Sequence, residues 1–349
     1  MRFAACQAAF VCLIAAWQAL NPVHAATCET PAAAPRPATV SDWKPACRHV
    51  LCGTVLDMRA PSPSPLARGT CPADSWQPLL IAIASTLNKG GLVSLGEVHD
   101  NRAHHLLRAE LLKGAKAVIF EQIRGDQQTA LDTFADAPSA ATAATAAADL
   151  MRRVDWKNSG WPEDDYRPLI EAAIAAKAKV YAGDAPRDTM MALTQGTASA
   201  VTPQDRVRLK LDEMLGAKLD DASLTEIESA HCGMVPKSAF GGMAFAQRYR
   251  DAHLADAAVK AIETQGSAVL IAGNTHVRSD RGVPWYVIRR LPGKPIVSVM
   301  LIEVEDGRTD PLSYAPRDPS GTPVADFLIF TPRREREDPC QKFRVKKTG

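Results

Sequence analysis

LVSLGEVHDNRAHHLLRAELL, residues Leu92–Leu112, is the stretch whose reading decides the fold. An apolar run stops at Gly96 and an amphipathic run follows, which reads as a strand, a sharp turn and a helix over about His104–Lys113. Glu97, His99, Asp100 and His104 crowd into or beside the turn. Asp100 is placed to cap the helix, and His105 reads as an incidental surface residue of its first turn. Glu97 and His99 have no such ordinary role, and strand-to-helix turns at the carboxyl ends of open parallel sheets are where ligands bind.

The pattern recurs outward from this stretch. KAVIFEQ ends on Glu121, KVYAGD on Asp184, and SAVLIAGN runs into Asn274, His276 and Arg278. Helical segments, one over about Tyr166–Ala176, separate these runs, so the fold class expected is α/β, with a mainly parallel central sheet flanked by helices. PWYVIRR, PIVSVMLIEVE and ADFLIF read as three further strands, spaced closely enough to be antiparallel. Residues 185–265 turn polar and helical, with Pro203 as a helix start and Leu254, Ala258 and Ile262 on one stripe, and read as a helical insertion. The Ala-rich stretch Ser139–Asp149 suits either a helix or a mobile lid.

Residues 1–25 carry Arg2, an apolar core and small residues before Ala26, the pattern of a secretory signal peptide cleaved near Ala25. A periplasmic or secreted protein is expected. Cys12 lacks the leucine and small-residue run that precedes a lipidated cysteine, so no lipid anchor is expected. Residues 26–74 form an irregular Pro- and Cys-rich lead-in, 75–331 the α/β domain and 332–349 a C-terminal tail. Beyond the leader stand Cys28, Cys47, Cys52, Cys71, Cys232 and Cys340, an even set that suits disulfides in an exported chain. Cys47 and Cys52 are near enough to pair locally, and Cys340 is placed to tie the tail to a distant point. With 349 residues, 46% of them hydrophobic, a substantial core is available. The 41 basic residues nearly balance 39 acidic ones, which argues against a nucleic-acid partner.

Gly96 and Gly273 stand at two strand exits, each followed three residues later by a histidine: GEVH to His99, GNTH to His276. This repetition places two imidazoles across one cleft, with Glu97 and Glu121 close enough to orient them.

LGEVHDN with HH after it, Glu121 closing an apolar strand, DWKNSGWPEDDYRPLIEAA, HCGMVPKSAFGGMAFAQRYRDAHLA and AGNTHVRSDRGVPW, in that order, resemble the ChaN-like family of the haem-binding uptake and Tiki superfamily. The resemblance covers about Leu92–Trp285. It implies an α/β fold with a pair of added helices, and haem binding in a bacterial envelope. Carried onto this chain, the family's motifs fall on Gly96, Glu97, His99, Asp100 and Asn101; on Tyr166–Pro168; on His231–Met234; and on Gly273, Asn274, His276, Arg278, Asp280 and Gly282.

Two functions then compete. For haem, in iron uptake, His99 and His276 would be axial donors and Tyr166 an alternative phenolate ligand, while Arg278 or Arg167 would meet a propionate. Glu97, Glu121, His104, His231 and Asn274 complete the expected ligand site. A homodimer sharing haem would let each protomer supply one face, and membrane contact would come only through other envelope proteins. For a hydrolase of protease or esterase type, Glu97, His99, Glu121 and His276 would hold a divalent metal or act as base and orienting carboxylate.

Overall fold

The computed structural model describes residues 37–43, 47–61, 63, 75–135, 142–338 and 340–341, which lie within one compact unit. Residues 1–25, read above as a signal peptide, and Cys28 and Cys71 fall outside the described residues.

Seven strands make one sheet: β1 Val55–Asp57, β2 Leu92–Leu95, β3 Ala117–Arg124, β4 Lys179–Asp184, β5 Ala268–Ile271, β6 Ile296–Glu303 and β7 Phe327–Thr331. Their spatial order is β1-β7-β6-β2-β5-β3-β4, and all neighbours are parallel except β1 with β7. Successive residues of a strand face opposite cores: Val269 and Ile271 point into one, Ala268 and Leu270 into the other. Both faces are covered, which is why the central strands read as unbroken apolar runs rather than alternating ones.

The first core is closed by α1 Ala38–Trp43, α2 Trp76–Asn88, α3 Arg102–Leu111, α4 Gln128–Ala135, α5 Ala143–Arg153 and α6 Glu163–Ala175. The Ala-rich stretch thus contributes a helix, α5, started by reciprocal Thr142 and Thr145 hydrogen bonds. Over the second core lie α7 Arg187–Thr194, α10 Phe240–Gln265 and α11 Val283–Arg290, with α8 Pro203–Arg208 and α9 Ala217–Ala230 between α7 and α10. None of the described helices is long and apolar enough to cross a membrane.

Several expectations need correction. PWYVIRR is helical, not extended: it is most of α11, whose second residue Pro284 suits a helix start because a first-turn N–H has no intrahelical partner. A short apolar run flanked by Gly and Pro does not distinguish strand from helix by periodicity. β6 and β7 are parallel, since residues 304–326 carry the chain back before β7 begins. The cap of α3 is Asn101, whose side-chain oxygen accepts from the Ala103 N–H at 3.0 Å; Asp100 instead pairs with Arg336 at 2.8 Å. Disulfides join Cys47 to Cys52 and Cys232 to Cys340.

Candidate functional site

Glu97 leaves β2 into the interior, at 2% exposure. A carboxylate so placed must be met by donors, and four elements supply them. Tyr166 Oη donates at 2.7 Å, His99 Nδ1 at 2.9 Å and Gln122 Nε2 at 3.3 Å, and the fully buried Arg108 forms an ion pair through Nη2. Burial pulls Arg108 down to about 10, which leaves it charged at neutral pH. The same guanidinium donates to His105 Nδ1 at 3.1 Å, while His105 Nε2 donates to the His99 carbonyl at 3.0 Å. His105 is therefore buried and structural rather than a surface residue, and burial holds it neutral, at about 4.

A second cluster gathers around β3 and β5. His276 donates through Nδ1 to Asp251 at 2.6 Å and through Nε2 to Glu121 at 3.2 Å. Burial opposes its charge, but the two carboxylates outweigh burial and raise His276 to about 10. Burial likewise opposes the charge of Glu121, yet the His276 charge and the Gly273 N–H at 2.7 Å hold it down at about 2. An imidazolium with both N–H groups engaged has no lone pair for a metal or a proton, so His276 is not the donor that the GNTH spacing predicts.

His99 lies between the clusters, and its side chain is 42% exposed. Burial lowers its pKa, so the ring is neutral; Nδ1–H donates to the Glu97 carboxylate, leaving the Nε2 lone pair unshared. Nε2 is 3.9 Å from Glu121 Oε1, and the ring lies 4.9 Å from Trp161. Gly273 makes room for it: a Cβ there would stand 2.8 Å from His99 Nε2.

Trp161 also lines a cleft of about 660 Å³ beyond the ends of β3 and β4, under α7 and α10. Its wall mixes Met190, Met191 and Met243 with Arg124, Arg187 and Arg250. Arg250 pairs with Asp184 at 3.0 Å, whereas Arg187 has no such partner among the described residues. His231 is in this wall too; its Nδ1 donates to the Ile227 carbonyl at 2.8 Å.

The remaining predicted residues are committed to other partners. His104 is fully buried: Nδ1 accepts from the Val98 N–H at 2.9 Å, Nε2 meets Thr331 Oγ1 at 2.7 Å, and burial drives its pKa to about 3. Tyr166 is sealed in, and burial raises its pKa further above the phenol value, so it is a donor to Glu97 and not a phenolate ligand. Asn274 turns its amide to the Leu301 carbonyl at 2.9 Å, pinning β6. Arg278 is held bidentately by Asp280 at 2.7 and 2.9 Å, and Arg167 pairs with Glu163. Among the described residues, no group of three or more His, Cys, Asp or Glu side chains is arranged to hold a metal ion.

Two central residues went unread in the sequence, though each left a trace. Arg108 sits among the apolar positions Leu107 and Leu111 of α3, and Asp251 continues the Leu254, Ala258, Ile262 stripe one turn back. A charge inside an apolar stripe needs a buried partner.

No curated protein sequence matches the chain. Among solved structures it is similar to ChaN of Campylobacter jejuni, described as binding haem cofacially, at 18% identity and a TM-score of 0.56 over 79% of this chain and 95% of that one. An erythromycin esterase EreC mutant in its open conformation is more distant, with 14% identity and a TM-score of 0.37 over 76% of this chain and 82% of that one. The type III effector HopBA1 stands equally far off, with 12% identity and a TM-score of 0.37 over 77% and 96%. The profile of one family, described as haem-binding uptake, Tiki superfamily, ChaN, matches residues 83–287, more than half of the chain, and the protein belongs to that family.

Proposed function

We propose that this protein is exported and binds haem at the carboxyl edge of its sheet, with His99 Nε2 as the iron donor, as part of iron acquisition. The observation that carries the reading is the state of His99: neutral, oriented by Glu97 through Nδ1, and half exposed with Nε2 unshared. Metal-binding histidines are held in this way, with the second nitrogen committed to a carboxylate. The cleft beside it supplies what a flat dianionic macrocycle needs. Its methionines and Trp161 offer an adaptable apolar wall, and Arg187 offers a cation for a propionate. Haem bound there would bring iron chemistry; the chain's own part is to present an imidazole, exclude water and neutralise the carboxylates.

Titration of the leader-free protein with haem, followed in the Soret band, tests this. A saturable shift is expected in wild type, and weakening on the order of 10-fold to 100-fold or more in His99→Ala, the scale by which even outer-shell partners matter. His276→Gln should leave the band position unchanged, because His276 has no lone pair to offer. Absence of a saturable shift in wild type refutes the reading.

One observation favours a second reading. A neutral histidine oriented by a carboxylate, with its free nitrogen facing solvent, is also a general base. Hydrolysis of an aryl ester by haem-free protein, abolished in His99→Ala, would establish that alternative.

A further inference from the structure

The residues after β7 touch the His99 turn and, through a disulfide, the turn that carries His231. Pro332–Asp338 has neither helix nor strand, yet it is anchored at each end. The Arg334 N–H donates to Glu303 at 3.1 Å, and the Arg336 guanidinium bonds Glu303 at 2.7 Å and Asp100, the neighbour of His99, at 2.8 and 2.9 Å. The segment then ends in the disulfide between Cys340 and Cys232, the neighbour of His231.

What the disulfide holds is weakly held otherwise. None of the residues of α9 is fully buried, although Ile227 of this helix and the following His231 line the 660 Å³ cleft and a second cavity of about 250 Å³ behind it. Among the described residues, the one side-chain ion pair from α9 to the rest of the molecule is Glu226 with Arg281 at 2.5 Å, and Glu226 is 40% exposed. Exposed pairs hold little, and elements with few buried contacts open first.

We propose that residues 332–338, together with Cys340, form a redox-releasable latch, whose disulfide keeps α9 and the His231 turn closed over the cleft and whose reduction by a dithiol frees them. Cys232 and Cys340 are both only half-buried, so a thiolate can reach them. It attacks one sulfur to give a mixed disulfide, and the second thiol of the dithiol displaces that bond. The chain is left with two thiols, the dithiol leaves as its cyclic disulfide, and two electrons and two protons have passed to the protein. Control of ligand entry by this latch rests on the haem reading; the latch itself does not.

Hydrogen exchange of the haem-free, full mature chain separates the two. Oxidised wild type is compared with wild type in dithiothreitol and with the Cys232→Ser, Cys340→Ser double variant, in which Cys47–Cys52 stays intact. Amides of residues 217–236 should exchange at least tenfold faster in the reduced protein and in the double variant, with the central strands unchanged. Equal exchange, or loss of protection throughout the sheet, overturns the latch. Haem association should be several-fold faster in the released forms; equal rates refute control of entry, and an opening latch on a protein that binds no haem refutes only the haem reading.

Discussion

Four histidines of one chain stand in three different states here, and burial with partners sets each. His99 is neutral and reachable, His104 and His105 are neutral and sealed, and His276 is charged and sealed. The consequences can be tested residue by residue. Gly273→Ala would put a methyl group against the His99 imidazole, whose ring must swing away from Glu97. The variant should fold with near wild-type thermal stability and yet lose haem affinity at least tenfold, as the Soret titration would show; undiminished affinity would mean that Nε2 is not the donor. Glu97→Gln removes one member of a buried ion pair and leaves Arg108 charged and unmatched. Urea unfolding should register a loss of about 3–5 kcal/mol, the cost typical of breaking such a pair from one side.

At the scale of the element, α3 shows how a turn was legible while its details were not. Glycine followed by polar residues between an apolar and an amphipathic run marks strand, turn and helix wherever it occurs. The choice between Asp100 and Asn101 as cap depended on where the backbone leaves the helix, which short-range patterns locate only to within a residue or two. Asn101→Ala should cost about 1–2 kcal/mol, because it removes the cap and the bonds from its amide to Glu303 at 2.7 Å and the Pro332 carbonyl at 3.0 Å. Asp100→Ala loses an ion pair that is 45% exposed on the aspartate side and should cost less than about 1 kcal/mol. Equal losses in denaturant unfolding would contradict the cap assignment. α11 was misread for a comparable reason: seven residues carry too few turns for a period to declare itself, and the deciding fact, that Gly282 and Pro284 open a helix against the His276 and Arg278 carbonyls, is tertiary.

For the whole molecule, the buried histidines shape stability against pH. His276, raised from 6.5 to about 10, holds its proton more tightly folded than unfolded, so its contribution is whole below pH 6.5 and is lost as pH climbs through about 10. His104 and His105, lowered from 6.5 to about 3 and about 4, act in the opposite sense. Below pH 6.5 the unfolded chain takes up protons that the folded one refuses, and stability falls. Glu121, lowered from 4.5 to about 2, adds a further loss as pH drops below 4.5. Each group contributes a slope of about 1.4 kcal/mol per pH unit within its window. Urea unfolding should therefore show a stability maximum near pH 6.5, steeper on the acid side. A plateau running on toward the His276 value would contradict the charged Glu121–His276–Asp251 stack.

Local order along the chain determined that this is an α/β protein with chemistry at the carboxyl ends of its strands, because periodicity, glycine exits and paired GEVH and GNTH motifs are properties of neighbours in sequence. Partners far apart in sequence determined everything about which of those residues can act. His276 was lost as a donor to Asp251, 25 positions away, and Tyr166 was turned into a donor for Glu97, 69 positions away. Protonation and reach depend on what burial brings together, so only the folded molecule could leave His99 as the histidine of this pair with a nitrogen to offer.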